Sequence, residues 1–276
     1  MPLMRHVCRE CYSEPEAVYE RLKSLGMDLI TVTDHDSIDA GEALRKHPDF
    51  FLSEEVTCQM PSGTEIHIGA YDISETQHNE IQRRRCDLPR LLAYFREHDI
   101  LFSLNHAFSS LTGRRDESDW DWFEAVFPVV EVRNGHMLPL VNTLAAEFVK
   151  ETRKCGVAGS DAHTLASLGS AFTEVRGAMS RAEFIEGLKT RQAKAHGEHG
   201  SYRKLTRDLL WIGMNLIREK PAAVALLPIT LLIPIASLGN YLRELRFARR
   251  WSRLGADRDS DRSATRTPLG SEGFAI

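Results

Sequence analysis

The sequence has few cysteines, and they lie far apart. Its five cysteines are Cys8, Cys11, Cys58, Cys86 and Cys155, an odd number without regular spacing, and no charged and then apolar leader segment precedes them. This argues against a secreted disulfide scaffold, and free thiols in a reducing, cytoplasmic compartment are expected. Cys8 and Cys11 form one CxxC, but no second CxxC or HxxxH supplies the remaining ligands of a structural zinc site.

The sequence also lacks a strong excess of either charge. The formal net charge is −4 over 276 residues, so nothing in the overall composition indicates nucleic-acid binding. The hydrophobic content of 42% is ordinary for a globular protein and is enough for one large α/β domain or two small ones.

Short apolar runs alternate with amphipathic segments through the first two hundred residues. The runs predicted as strands are MDLITVT, FFLSEEVT, EIHIGAYD, ILFSLNH, VVEVRN and GVAGSD. The segments predicted as helices are SEPEAVYERLKSLG and residues 40–45, 76–97, 120–125, 138–155 and 180–190. Such alternation, with nearly continuous apolar strands, predicts a parallel sheet, closed or open, with helices outside it.

Six potential metal ligands lie in or just after these strands. They are His35, Glu55, His67, His106, Asp161 and His163. A parallel sheet brings its strand ends together at one edge, so we expect these side chains to converge there. Imidazole and carboxylate are the ligands of catalytic zinc, manganese or iron, and a two-metal site needs a bridging carboxylate, for which Glu55 is the candidate.

Each of these residues also has a simpler interpretation. A lone histidine in a strand is more often a hydrogen-bonded core residue than a ligand, and the stretch TDHD could be a capping turn in which Asp36 begins the next helix. The pattern of six at successive strand ends favours the metal site.

Taken together, the motifs resemble those of the PHP (polymerase and histidinol phosphatase) family. They are GMDLITVTDHDSI, SEEVTC followed by EIHIGAY, SLNHAF, EVRNG and GSDAHT, in the order of that family. The resemblance implies a distorted (β/α)7 barrel with two or three metal ions at the strand ends. It also implies hydrolysis of phosphate esters by a metal-activated water, and it places the six residues named above at metal-ligand positions.

The family's first strand ends in His-x-His, and this motif occurs nowhere in the sequence. Two interpretations stay open. His6 and Cys8 could form a degenerate version of the motif, or the chain as given could lack its first strand, which is the interpretation we favour. In the second case, the activity of this chain would be impaired.

Further residues are assigned by their position. Asp34 and Asp36 flank His35 and are candidates for accepting the second N–H of a metal-bound imidazole. Arg114 and Arg133 lie near predicted strand ends and could hold a substrate phosphate. Asn134 is a further candidate for substrate binding, although "NG" in EVRNG could equally be only a turn.

The C-terminal third has a different character. Residues 222–239 carry no charge, and the stretch YLRELRFARRWSR that follows crowds five arginines into three predicted helical turns. Basic residues on both sides of the run favour attachment of residues 221–253 to the inner face of an anionic membrane, peripheral or re-entrant. The alternative is a helix that packs on the barrel or on a second subunit.

We therefore predict three regions: a PHP-type domain over 1–203, a helical extension over 204–254, and a disordered tail over 255–276. The predicted function is a metal-dependent phosphoesterase acting on a small phosphorylated molecule or a nucleotide. Two alternatives stay open. One is an exonuclease on oligonucleotides, although nucleic acid is the less favoured partner, and the other is a catalytically impaired, membrane-tethered scaffold.

Overall fold

The structure is a computed structural model that describes residues 11–220, 224 and 230–264. Its helices are α1 (Pro15–Ser24), α2 (Asp39–Leu44), α3 (Glu75–Arg84), α4 (Leu88–Glu97), α5 (Glu117–Val126), α6 (Pro139–Thr152), α7 (Arg181–Lys189), α8 (Tyr202–Glu219) and α9 (Ile233–Ala264). Its strands are β1 (Ser53–Gln59), β2 (Glu65–Tyr71), β3 (Leu101–Asn105), β4 (Val129–Asn134), β5 (Cys155–Gly159), β6 (Ala171–Val175) and β7 (Ala193–Gly197). His6 and Cys8 lie outside the described residues.

Five strands form one sheet in the order β1-β2-β3-β4-β5. Strand β2 is antiparallel to both of its neighbours, whereas the pairs β3/β4 and β4/β5 are parallel. Four strands therefore run one way and β2 runs the other, so the prediction of a parallel sheet is wrong for β2. The beginning of β2 lies at the edge where the other four strands end.

The direction of β2 follows from its connections. Residues 60–64 join β1 to β2, which is long enough for a hairpin and too short for a crossover. Between β2 and β3 the chain forms two helices, α3 and α4, which lead away from the sheet and back to the same edge. A single helix would have returned the chain to the opposite edge and made the pair parallel.

The helix predicted over 76–97 is two helices. The side chain of Asp87 accepts a hydrogen bond from the backbone N–H of Arg90, and Pro89 lies in the first turn of α4. An N-cap followed by a proline begins a new helix. The second helix is strongly amphipathic and buries Leu91, Leu92 and Phe95 against the sheet.

Two further differences concern strands. The predicted strand MDLITVT is an extended segment that pairs with the chain around β1 only at two parallel bridges, Ile30 with Phe50 and His35 with Glu55. Strands β6 and β7, which the apolar pattern did not indicate, form a separate antiparallel pair. The oxygen Oγ1 of Thr173 in β6 accepts the backbone N–H of Ala158 and so links this pair to β5.

The C-terminal extension packs on the sheet domain. Trp251 of α9 stacks on Trp120 of α5 with ring centroids 5.2 Å apart, and Ala248 belongs to the main hydrophobic core. The carboxylate of Glu244, also in α9, accepts hydrogen bonds from the backbone N–H and hydroxyl of Ser110. This agrees with the alternative in which the extension packs on protein.

The boundary predicted at 203/204 falls inside α8, because Ser201 caps a helix that begins at Tyr202. Helix α9 continues to Ala264, although disorder was predicted from residue 255 on, and residues 265–276 lie outside the described part of the chain. That prediction rested on low apolar content, which does not prevent an already docked helix from continuing. Among the described helices, we found none with the length and apolar character needed to cross a membrane.

We expect Trp251→Ala to lower the free energy of unfolding by about 3 to 5 kcal/mol, because it removes a large buried ring from the core. Urea unfolding followed by circular dichroism measures this loss. The control is Met179→Ala, which changes a side chain that is 90% exposed and should alter stability by less than about 0.5 kcal/mol. Equal small effects of the two substitutions would show that α9 does not dock as described.

Candidate metal centre

Three of the predicted ligands form a compact group. The ligand atoms of His35, Glu55 and His67 all lie within 4.8 Å of one another. The parallel bridge between His35 and Glu55 holds the chain after residue 30 against β1, and the β1/β2 hairpin brings the start of β2 alongside. His67 pairs with Thr57 and with Asn105, so it lies between the other two strands of the site.

His106 joins this group from the end of β3. Its Nε2 lies 3.1 Å from Nδ1 of His67 and 3.3 Å from Oε1 of Glu55. Asn105 donates a hydrogen bond of 2.8 Å from Nδ2 to the same oxygen of Glu55. His35 Nε2 lies 3.3 Å from Oε2, the other oxygen of that carboxylate. The carboxylate of Glu55 is therefore the centre of the group.

The charges in this group are mutually dependent. Burial favours the neutral form of Glu55, but contact with His106 and the positive charges of His106, His67 and His35 outweigh it and hold the pKa of Glu55 below its ordinary value. Burial alone would lower the pKa of His106, yet the contact with Glu55 and the charges of Glu131 and Asp161 raise it. The group therefore favours a negative carboxylate among imidazoles.

Asp161 and His163 lie next to this group and are linked to it through a buried polar chain. Glu131 Oε2 accepts the backbone N–H of His106 at 3.0 Å and the side-chain amide of Asn134 at 3.0 Å. The same amide nitrogen lies 3.1 Å from Oδ2 of Asp161. His163 Nδ1 lies 3.1 Å from the carbonyl oxygen of Asp161. All six predicted ligands thus lie at one edge of the sheet, in two linked subsets.

Glu131 was missed in the sequence analysis. It is almost fully buried in β4, and burial raises its pKa to about 7. The signal was present, because a glutamate between valines in VVEVRN occupies a buried position of an otherwise apolar strand. Its hydrogen bonds to His106 and Asn134 hold the two subsets of the site together.

In the stretch EVRNG, the end of β4 lies close to the segment that follows β5. Asn134 is 1% exposed, and its Oδ1 accepts the backbone N–H groups of His136 and Met137. A Cβ atom at Gly135 would lie 2.8 Å from the carbonyl oxygen of Ser160. Glycine is therefore needed where β4 meets the segment that carries Asp161. The assignment of Asn134 to substrate binding stays a prediction.

Two of the site residues have strained backbones. His106 has φ 29° and Asp161 has φ 48°, both in the left-handed region that residues with a Cβ rarely occupy. His106 follows β3 directly and Asp161 comes two residues after the end of β5, where the chain turns toward the site. Such strain persists only where the surroundings enforce it, and it is typical of functional sites.

The other predicted site residues lie in different environments. Asp36 accepts the backbone N–H of Thr57 at 2.8 Å and lies 3.2 Å from Arg85, while Asp34 is exposed. Arg114 is exposed as well. Arg133 is half-buried at the end of β4, where its Nη1 lies 2.5 Å from Nε2 of His199. Burial and the charge of Arg133 lower the pKa of His199.

Residues of α8 contact the loops beside Asp161. His136 Nε2 lies 2.8 Å from Oδ2 of Asp208, and His136 Nδ1 lies 3.0 Å from the carbonyl oxygen of Ser160. Ser167 and Arg207 also donate hydrogen bonds to this carboxylate. His136 therefore joins the extension to the segment before Asp161.

The donor atoms fit a divalent metal. Ligands bonded to one ion at ~2.0–2.2 Å are at most about 4.4 Å apart, so the separations among His35, Glu55 and His67 need only small side-chain adjustments. Nδ1 of His106 is buried and has no hydrogen-bond partner among the described residues. Two imidazoles with a carboxylate suit zinc, manganese or iron. The three residues thus form a possible metal site.

A family model described as PHP-associated matches residues 139–193, a stretch that includes Asp161 and His163. This match and the sequence motifs together support a similarity to the PHP family over that part of the chain. No curated protein matches the sequence.

Solved structures of similar fold are distant in sequence. PsfC from Pseudomonas syringae is 15% identical over 71% of this chain and 88% of its own, with a TM-score of 0.52. The lesion-specific endonuclease PfuEndoQ from Pyrococcus furiosus is 19% identical over 65% of this chain and 52% of its own, with a TM-score of 0.49. A candidate metal-dependent phosphoesterase from Bifidobacterium adolescentis is 13% identical over 66% of this chain and 92% of its own, with a TM-score of 0.46. The first similarity shows the fold, and the other two are too weak to add to it.

The Asp208–His136 pair predicts a pH window of stability. Burial alone would raise the pKa of Asp208 and lower that of His136, but the hydrogen bond between them holds the pKa of Asp208 below its ordinary value of 3.8 and that of His136 above 6.5. The contribution of Asp208 is lost as pH falls below 3.8, and that of His136 as pH rises beyond 6.5.

Asp208→Asn should therefore lower the free energy of unfolding of the metal-free protein most between these limits, by about 2 kcal/mol. Urea unfolding at a series of pH values checks this. The control is Asp99→Asn, which breaks an exposed pair with Lys189 and should cost less than about 1 kcal/mol. A loss that is constant with pH would contradict the ionic pair.

Proposed function

We propose that the chain is a metal-dependent hydrolase of phosphate esters. The six strand-end residues would hold the metal ions, with Glu55 shared between His35 on one side and His106 on the other. The number of ions, two or three, and their identity as zinc, manganese or iron are part of this proposal. The substrate would be a small phosphorylated molecule or a nucleotide.

The observation that supports this proposal most is the environment of Glu55. This carboxylate is nearly buried and is surrounded by three imidazoles and one amide donor. Packing does not require a charge here, because an apolar residue would stabilise the fold equally well at this position. Perturbed pKa values in such a cluster are typical of functional sites.

A divalent metal ion held here would polarise a phosphoryl oxygen and lower the pKa of water. The chain's own residues would provide the frame. Asn105 fixes one oxygen of Glu55 through its amide, and Glu131 fixes the backbone of His106 through its carboxylate. Ligands that are already held by hydrogen bonds to neighbouring residues need no reordering when the ion binds. These hydrogen bonds should therefore increase the affinity for the metal.

Arg133 is our candidate for the phosphate of the substrate. It is half-buried beside the site, and its Nη1 contacts His199, whose pKa is lowered. Among the described residues it has no carboxylate within salt-bridge distance. A guanidinium without a carboxylate partner suits a phosphate, which it can bind through two hydrogen bonds.

Glu55→Gln should lower bound metal to less than about one-tenth and abolish turnover of an aryl phosphate monoester and diester, because the amide lacks the charge that binds the ion. Elemental analysis and a turnover assay measure the two effects. His67→Gln should act in the same direction.

Two neighbouring residues provide the controls. Glu54 lies next to Glu55 on the opposite face of β1 and contacts His78 and Gln82, so Glu54→Gln should leave the metal content unchanged. His196 pairs with Glu174 in β6, so His196→Gln controls for loss of an imidazole. Equal metal content in Glu55→Gln and Glu54→Gln would refute the site.

Glu131→Gln tests the linking carboxylate separately. The substitution keeps an acceptor for the backbone N–H of His106 but removes the negative charge, so we expect metal content within about twofold of the native value and turnover lowered by about 10- to 100-fold. The second measurement is urea unfolding, because a general loss of stability would lower both metal content and turnover.

The same experiments separate the alternatives. Full metal content without turnover on any phosphate ester would favour the non-catalytic scaffold. Turnover of oligonucleotides that falls steeply with salt, with little activity on small esters, would favour the exonuclease.

A further inference from the structure

One face of the sheet carries a set of polar residues beside the metal centre. Glu55 in β1 pairs with Gly69 in β2, and Gly69 pairs in turn with Ser103 in β3. Asn105 and Tyr71 lie two positions further along β3 and β2, and side chains two positions apart in a strand lie on the same face. Because β2 and β3 are antiparallel, Asn105 lies toward the metal ligands and Tyr71 lies away from them. These five residues therefore share one face of the sheet.

Three hydrogen bonds in series join four of these residues. The hydroxyl oxygen of Tyr71 lies 2.8 Å from Oγ of Ser103. Ser103 Oγ donates at 2.6 Å to Oδ1 of Asn105, and Nδ2 of Asn105 donates at 2.8 Å to Oε1 of Glu55. Ser103 is 0% exposed, so protein groups rather than bulk water must satisfy its hydroxyl. The series thus leads from Tyr71, which contacts no metal ligand in it, to the carboxylate at the centre of the site.

The hydrogens in this series have one consistent direction. A carboxylate oxygen only accepts, so Asn105 turns its NH2 group toward Glu55 and its Oδ1 away from it. Ser103 must then donate to Oδ1. A serine hydroxyl has a single hydrogen, so Tyr71 is the donor to Ser103. The orientation of the Asn105 amide is therefore set by two hydroxyl groups on the side opposite to Glu55.

The position of the Tyr71 hydroxyl is itself fixed by packing. The ring of Tyr71 packs against the smaller hydrophobic core, which includes Leu101 and Val129. A Cβ atom at residue 69 would lie 2.5 Å from the hydroxyl oxygen of Tyr71 and 2.8 Å from Oγ of Ser103. Glycine is therefore needed at this position, because the phenol lies over it. A phenylalanine would fill the same core, so packing alone does not require the hydroxyl.

We propose that Tyr71 is a positioning residue of the metal centre, which acts through Ser103 and Asn105 to hold the carboxylate of Glu55 in one orientation. The inference rests on the proposed function, because it concerns how the same site binds its metal ion. A ligand that is already oriented loses less conformational freedom when the ion binds. Removal of the Tyr71 hydroxyl should therefore weaken metal binding, although no ligand is changed.

The first test measures the zinc dissociation constant of the full chain by competition with a chromophoric chelator. Tyr71→Phe should raise this constant about tenfold, and Ser103→Ala should raise it by at least as much. Because the two hydroxyls act in series, the double variant should stay within about twofold of Ser103→Ala alone. Two independent effects would instead multiply to about a hundredfold.

Two spectroscopic measurements separate positioning from a general loss of structure. The visible absorption bands of bound cobalt(II) depend on the arrangement of the ligands, so they should change in Tyr71→Phe. In the metal-free protein, nuclear magnetic resonance should show a shift of the Asn105 side-chain amide in this variant. The amide of Asn215, which donates to a backbone carbonyl in α8, should not shift. Tyr94→Phe is the matched control, because it removes the hydroxyl of another buried tyrosine and should leave the zinc dissociation constant within about twofold of the native value.

The outcomes distinguish this inference from the proposed function. Zinc binding by Tyr71→Phe as tight as that by Tyr94→Phe would overturn the inference, and so would an unshifted amide of Asn105. Both results leave the proposed function intact if the native chain binds zinc and Glu55→Gln does not. A multiplied loss in the double variant would also overturn the series. A native chain that takes up no zinc would overturn the proposed function, and this inference with it.

Discussion

The carboxylate of Glu55 places the strongest constraint on this structure. A charged group that leaves water loses several kcal/mol of solvation, so it must find partners that compensate for the loss. Its partners come from three separate segments: the loop at residue 35, β2, and the end of β3 with Asn105 and His106. The sheet register must therefore be correct to a single residue, because a shift by one would bring the side chain of Glu54 or Val56 to this face.

A second layer holds these partners in turn. Glu131 and Asn134 connect the end of β3 to Asp161, and His136 connects the next segment to Asp208 in α8. A series of polar contacts thus extends from the partners of Glu55 to the C-terminal extension. This explains why α8 cannot be regarded as a separate unit, although its sequence differs from that of the first two hundred residues.

The sequence allowed the convergence at the site to be predicted, because polar residues after apolar strands lie at one edge whatever the details of the fold. His35, Glu55 and His67 were found in this way. The direction of β2 could not be found from apolar runs, since a buried strand has the same pattern in either direction. Strands β6 and β7 are only partly buried, so their residues show little apolar signal. Glu131 was overlooked because a single carboxylate in a strand has no characteristic spacing.

The contacts of Ser110 with Glu244 and of Trp120 with Trp251 have a consequence for the synthesis of the chain. Each joins residues more than a hundred positions apart, so the surface around α5 stays uncovered on the ribosome until α9 has emerged. During that interval an apolar surface with Trp120 faces water and can bind chaperones or other nascent chains. A chain that is released before residue 251 would therefore have the sheet edge with the predicted metal ligands, but its apolar surface around α5 would stay exposed.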